Sequence, residues 1–304
     1  MNPPKMPVDW RKHFPKGYEP DSTRTDVFDP ALRHHGRAFI KGPPRFEAPE
    51  EEARFKTARA RVLRKCLAAI GHAPVGDRLV ARGSAVLEVW YRERARPAKD
   101  LDVVVTPASV LPASEEGLRL LSDLTLAITD VLRLEGTNLD PATIPVDDIW
   151  TYERAEGRRL TFPWFWEGRV RDTVQVDIVF NEPLLTAPLA LTVEGVPVRV
   201  ASKEESLAWK LLWLADDSYP QGKDLYDAVL LAENAPLPPG LLQRVFEAKD
   251  GACWRDAFNQ GELHSHTEVD WPNFALEHPT LAQGDVTSYW ARLKAALLRH
   301  ADVT

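Results

Sequence analysis

Arg96-Pro97-Ala98-Lys99-Asp100-Leu101-Asp102-Val103-Val104-Val105 is the stretch from which the fold is read. Branched apolar residues running on from a D-x-D pair predict a strand over Leu101–Val105. Side chains alternate along a strand, so Asp100 and Asp102 project from one face while Leu101 and Val103 enter the other. Two carboxylates so placed repel each other unless a cation sits between them. A hard divalent ion such as Mg²⁺ takes a few carboxylate oxygens together with substrate phosphates. By itself such a pair marks turn caps and solvated faces more often than metal sites.

The flanking residues raise the metal reading. Upstream, Leu79-Val80-Ala81 predicts a short strand and Ser84–Tyr91 a short helix, with Gly83-Ser84 at the joint. Glycine lets a phosphate approach the backbone there, and the first helical amides with the Ser84 hydroxyl can donate to its oxygens. A plain turn with Ser84 as helix cap is the simpler reading of the same two residues. Downstream, Val174–Phe180 alternates so that Val176, Ile178 and Phe180 share a face and leave Asp177 on the other. A lone buried aspartate is costly without a partner, and a cation shared with Asp100 and Asp102 would supply one.

Further out, Glu50–Ile70 predicts a helix with Phe55, Val62, Cys66, Leu67 and Ile70 at helical spacing. Arg54, Lys56, Arg59, Arg61, Arg64 and Lys65 lie mainly on its other faces, as on a solvated helix surface. Ser114 opens a long amphipathic helix carrying Leu118, Leu121, Ile128 and Val131. Three antiparallel strands are predicted between Ile149 and Phe180, turning at Ala155-Glu156-Gly157 and around Glu167-Gly168, with Gln175–Phe180 as the third. A hairpin around Glu194-Gly195 spans Leu191–Val200. Ser202-Lys203-Glu204-Glu205 is a capping box before a helix through Leu214. Further helices are predicted over Asp224–Glu233, Leu237–Lys249 and Val286–His300. The fold class is α/β of the α+β kind: a mixed sheet with flanking helices, followed by a helical domain. The expected division is a proline-rich arm over residues 1–50, a core over 51–200 and a helical domain over 201–304.

Lys210 is the only charge in Ala208–Ala215, so its ammonium must snorkel to water or meet an anion. Asp224 and Asp227 stand one helical turn apart near a helix start, where acids favour the macrodipole. Asp224 is placed to orient Lys210 or a substrate hydroxyl; helix capping explains Asp227 better. His264-Ser265-His266, with Glu262 and Glu268 nearby, reads as a surface loop. Most tryptophans read as core residues, with Trp164-Phe165-Trp166 kept as a possible stacking platform.

Composition sets the outer limits. The 304 residues are 44% hydrophobic and 27% charged, which suffices for a packed core and excludes wholesale disorder. No apolar run is long enough to span a membrane. Two cysteines, Cys66 and Cys253, make no disulfide framework, and a reducing cytoplasm is expected. The net charge of -7 excludes a basic coat for duplex DNA but not a local basic patch.

The Gly-Ser joint, the D-x-D strand and the third aspartate together resemble the polymerase-β-type nucleotidyltransferases. Arg96–Asp102 resembles more closely the arginine-x-threonine-lysine-D-x-D signature of the AbiEii/AbiGii-type toxin nucleotidyltransferases, with Ala98 in place of threonine. Leu207–Leu212 resembles that family's lysine-bearing helix, and Gly222–Asp227 its lysine-aspartate helix start. The resemblance runs from Leu79 to Glu233. An arginine often found before the second lysine-aspartate pair is absent, Tyr219-Pro220-Gln221 standing nearby.

This resemblance implies a nucleotidyltransferase moving a nucleoside monophosphate from an NTP to an acceptor. Asp100, Asp102 and Asp177 would hold two Mg²⁺ ions; Gly83, Ser84 and Lys210 would bind the phosphates; Lys210 and Asp224 would join the catalytic set. It also implies a toxin of a toxin–antitoxin or phage-defence pair, a cognate antitoxin, and an RNA acceptor such as a tRNA 3′ end. The basic helix face would steer RNA. The alternatives are nucleotidylation of a protein or small molecule, or a non-catalytic nucleotide-binding subunit.

Overall fold

The computed structural model describes residues 26–28, 39–41, 44–151, 155–168, 170–216, 220–250 and 269–301. Two compact units emerge, each assembled from separate stretches of chain. One takes residues 1–81, 98–182 and 191–199; the other takes 82–97, 183–190 and 200–304.

The first unit is built on a sheet. Its strands are β3 (Leu79–Arg82), β4 (Leu101–Val105), β5 (Val146–Thr151), β6 (Ala155–Trp166), β7 (Val170–Val179), β8 (Leu189–Val193) and β9 (Val196–Val200). They lie in the order β5-β6-β7-β4-β3-β9-β8. β5, β6 and β7 form an antiparallel meander, and β4 runs parallel to β7. The central strands β3 and β4 are nearly continuous apolar runs, as strands covered on both faces must be. Residues 26–28 (β1) and 39–41 (β2) form a separate antiparallel pair.

Helices α1 (Pro49–His72) and α3 (Glu115–Leu134) pack on one another. α1 buries Phe55, Val62, Cys66, Leu67 and Ile70, as its spacing predicts, and Leu63 in addition. The Ser114 side chain caps α3 by accepting from the Gly117 amide at 3.1 Å. Its buried stripe is Leu120, Leu121, Leu124, Ile128 and Leu132, and Leu118 faces outward. Leu120 and Leu132 thus occupy the core positions expected of Leu118 and Val131, and the buried stripe is rotated around the helix. Each fully buried leucine contributes about 1.5–3 kcal/mol.

The second unit is helical: α2 (Ser84–Tyr91), α4 (Lys203–Asp216), α5 (Gly222–Ala232), α6 (Leu241–Asp250), α7 (Trp271–Glu277) and α8 (Val286–Ala301). α5 is its centre, packed by α4, α7 and α8, and all but one of its residues are buried. The Ser202 hydroxyl caps α4 by accepting from the Glu205 amide at 3.0 Å. Glu205 does not close the box. Its carboxylate accepts instead from the amides of Leu185 and Thr186 and from the Thr186 hydroxyl.

Several boundaries differ from expectation. Ala155-Glu156-Gly157 lies inside β6, and the third meander strand begins at Val170. The turn at Glu167-Gly168 stands, both residues having positive φ. α6 starts at Leu241 because Pro238-Pro239-Gly240 precedes it, with Gly240 at φ 73. The seven-residue α7 was not anticipated; Pro272 sits in its first turn and reads as a loop signal. Among the described residues no helix is long and apolar enough to cross a membrane.

Candidate active site

In the sheet unit, Asp102 on β4 is the direct register partner of Asp177 on β7. In-register side chains of neighbouring strands share a face, so Asp102 and Asp177 stand side by side, while Asp100 precedes β4. The row continues outward. Asp177 is opposite Arg159 on β6, and Arg159 is opposite Asp147 on β5. The Arg159 guanidinium donates from Nε to Asp177 Oδ1 at 2.7 Å and from Nη2 to Oδ2 at 2.7 Å. Gln175 adds a weaker bond from Nε2 to Asp177 Oδ2 at 3.3 Å. Arg159, Asp147 and Asp177 are all buried.

The stretch leading into β4 is held from α1. Arg59 donates from Nη1 to the Ala98 carbonyl at 3.0 Å and from Nη2 to the Lys99 carbonyl at 2.8 Å. Its Nε donates to Asp172 at 2.8 Å. One planar fork thus ties the backbone just before Asp100 to both α1 and β7.

The donors fit a hard divalent cation only in part. Asp100, just before β4, and Asp102, on it, are both half-buried carboxylates of the kind an oxygen-seeking ion takes. Asp177 has both oxygens engaged by Arg159. Among the described residues no group of three or more His, Cys, Asp or Glu side chains is drawn together as a metal ion requires.

In the helical unit, Gly83 is the N-cap of α2, with φ 74 and ψ -160, a conformation essentially reserved for glycine. Ser84 is therefore the first helical residue rather than the cap. Its Oγ is buried and makes no hydrogen bond within the described residues. Lys210 is buried too. Its Nζ donates to Asp224 Oδ1 at 2.7 Å and lies 2.9 Å from Asp227 Oδ2. Arg96 joins them, its Nε and Nη2 donating to Asp227 Oδ2 at 3.2 and 3.1 Å. Asp227 is thus the hub of a buried charge network, not a helix cap.

The protonation states follow from this packing. Burial alone would lower the Lys210 ammonium, but the Asp224 and Asp227 carboxylates outweigh it and hold its pKa above the ordinary lysine value. Burial would raise Asp227, but Arg96 and Lys210 hold it below the ordinary aspartate value. The Arg82 guanidinium lies over the rings of Trp209 and Trp213 at 4.7 and 5.5 Å, and Lys210 Nζ lies 4.9 Å from the Trp213 ring. Arg82, Gly83, Ser206 and Lys210 help line a cavity of about 10 Å³. That is room for roughly one water.

The basic face of α1 is not a free cationic surface. Arg54 pairs with Glu167, Lys56 with Glu52, Arg59 with Asp172, and Arg64 with Glu194. Arg61 and Lys65 both pair with Glu135. Trp164 and Trp166 are core residues packed against Phe55, so they offer no stacking platform. His264-Ser265-His266, Glu262 and Glu268 lie outside the described residues. Arg159, Asp147 and Arg59 were missed. Their only signal was a buried-strand acid or arginine, or one basic residue among six.

The class that this fold and these motifs define is the nucleotidyltransferase. A family model described as "Nucleotidyl transferase AbiEii toxin, Type IV TA system" matches residues 65–294, more than half of the chain, and the chain belongs to that family. The match bears out the resemblance carried by the motifs and extends well beyond Glu233, where they end. Among solved structures, an antigenic nucleotidyltransferase-like protein from Paracoccidioides brasiliensis is similar at 14% identity and a TM-score of 0.40, over 69% of this chain and 94% of that one. No curated protein matches the chain.

Proposed function

We propose that the protein transfers a nucleoside monophosphate from an NTP to an acceptor hydroxyl with a divalent cation, as the toxin of a toxin–antitoxin pair. The observation that carries this is the register of Asp102 against Asp177 on adjacent parallel strands, within a chain of the AbiEii family. Asp100 and Asp102 would hold Mg²⁺, which supplies charge neutralisation at the triphosphate when bound. Ser84 is the proposed donor to phosphate oxygens, its buried hydroxyl being uncommitted among the described residues. Lys210, kept protonated by Asp224 and Asp227, is the proposed phosphate cation. Asp177, fixed by Arg159, orients the acceptor hydroxyl by accepting its hydrogen bond. The acceptor oxygen attacks the α-phosphorus in line, its proton passes to the Asp177 carboxylate, the bond to the β-phosphate breaks, and pyrophosphate leaves.

The acceptor in this reading is an RNA end, such as a tRNA 3′ end. A second reading has a specific observation behind it: the basic residues of α1 are spent on intramolecular ion pairs, which favours a protein or small-molecule acceptor. Incubation with labelled NTPs, Mg²⁺ and total RNA or total protein separates the two. Labelling that persists in Asp102→Ala sinks the catalytic assignment itself.

A further inference from the structure

We propose that the helical unit carries a second ligand site, a pocket for a free ribonucleoside monophosphate, on the side of α5 turned away from Lys210.

The pocket has a volume of about 340 Å³, within the range of roughly 300–1,000 Å³ that small-molecule sites occupy. All of its lining comes from the helical unit, from residues 82–97 and 200–304. Asp224 and Asp227 turn one side of α5 toward Lys210. Tyr226, Val229 and Leu230 centre on its other side and, with Tyr289 of α8, form a buried floor. Glu93, Arg94 and Gln283 stand exposed at the rim. Two phenols fix rim to floor: Tyr226 Oη donates to the Arg94 carbonyl at 2.6 Å, and Tyr289 Oη to the Leu281 carbonyl at 2.7 Å. The pocket is thus formed before a ligand arrives, which lowers the ordering cost of binding.

The rim selects the ligand. Arg292 is already neutralised, its Nε and Nη2 donating to Glu233 at 2.9 Å each. Arg94 is not. It donates to Asn234 Oδ1 at 3.3 Å, lies 5.5 Å from the Tyr91 ring, and meets no carboxylate among the described residues. Its neighbour Glu93 has no hydrogen bond or ion pair among the described residues either. An open guanidinium recognises phosphate. An open carboxylate accepts from the paired hydroxyls of a ribose. The tyrosine-lined floor takes a flat apolar ring, and the Gln283 amide both donates and accepts at a base edge. Phosphate, diol and flat ring meet in one ribonucleotide. A simple anion would be repelled by Glu93, and an uncharged ring would leave Arg94 unused. The volume is that of one small ligand, which favours a free monophosphate over a residue within an RNA strand.

Calorimetric titration of AMP, GMP, CMP and UMP into the full chain, without divalent cation, tests this. At least one is expected to bind, about tenfold more tightly than its nucleoside and its 2′-deoxy analogue. Arg94→Gln should erase the preference for the phosphate and Glu93→Gln the preference for the 2′-hydroxyl. Both residues are exposed, so neither change threatens the fold. Ser84→Ala, at the proposed NTP phosphate site, should leave this binding unchanged. Absence of binding by all of these monophosphates, binding indifferent to both rim substitutions, or binding lost in Ser84→Ala overturns the proposal. So does Arg94-dependent binding of a short RNA when no monophosphate binds. None of these results touches the nucleotidyl-transfer reading, which is tested separately by incorporation of label.

Discussion

Lys210 and Asp227 face each other across 2.9 Å, and Asp227 has no exposed side-chain surface. Arg96 reaches the same carboxylate oxygen, so Asp227 touches two buried cations, sharing Lys210 with Asp224. Removing one partner of a buried network strands the others. Asp227→Ala is expected to cost about 3–5 kcal/mol of stability by urea unfolding. A cost below about 1 kcal/mol would show the cations to be solvated.

The same network sets an acid limit. The folded Asp227 pKa lies below its ordinary value of 3.8, so the unfolded chain binds the proton first. Its stabilisation is complete above that value and drains away as pH falls through the lowered folded pKa. Lys210 works in the opposite sense: raised from 10.5, its contribution is complete below that value and is lost as pH climbs through the folded pKa. Unfolding free energies measured down to about pH 3 should therefore fall more steeply for wild type than for Asp227→Asn. Parallel curves would remove Asp227 as the cause.

Arg59 holds the Ala98 and Lys99 carbonyls just before the D-x-D pair. Arg59→Ala should lower nucleotide incorporation by about ten- to a hundredfold, the usual cost of losing an outer support of a catalytic ligand, with an unchanged circular dichroism spectrum. Arg59→Lys should not rescue it, because an ammonium cannot serve three acceptors in one plane. Full activity in Arg59→Ala would show that Asp100 positions itself.

Gly83 sits at φ 74 and ψ -160. A Cβ there is strained, so Gly83→Ala should destabilise the chain by about 1–3 kcal/mol. Thermal melts with Gly168→Ala as the comparison at another positive-φ turn separate backbone strain from a general surface effect.

Arg54, Lys56 and Arg64 are paired on the α1 surface. Replacing all three with alanine should leave RNA affinity within about twofold and its salt slope unchanged, since each lost phosphate contact would flatten that slope by about one. Flattening by two or more would restore α1 as an RNA-steering face.

Much of the arrangement is legible in the chain because alternation and helical spacing are local properties. They put Asp102 on a buried strand, opposed Asp177 to the apolar side of its own strand, and marked Lys210 as a charge in need of an anion; the strand expected to include Asp100 begins one residue later. The row from Asp147 to Asp102 was not legible, because its members come from four strands whose register depends on turns at a distance in sequence. Asp227 was misjudged for a related reason. Its position near a helix start fits capping, and only the tertiary approach of Lys210 and Arg96 shows otherwise. Arg59 looked like its five basic neighbours until the carbonyls it grips were in place.

The helical unit borrows Arg96 from residues 82–97, more than a hundred positions before the Asp227 it serves. It also takes in Leu185 and Thr186, whose amides Glu205 holds. The unit is therefore not a cassette that recombination could lift out with one cut. A fragment beginning at residue 201 would carry Lys210, Asp224 and Asp227 but not the arginine that balances them. Inheritance of this charge network requires the two halves of the chain to travel together.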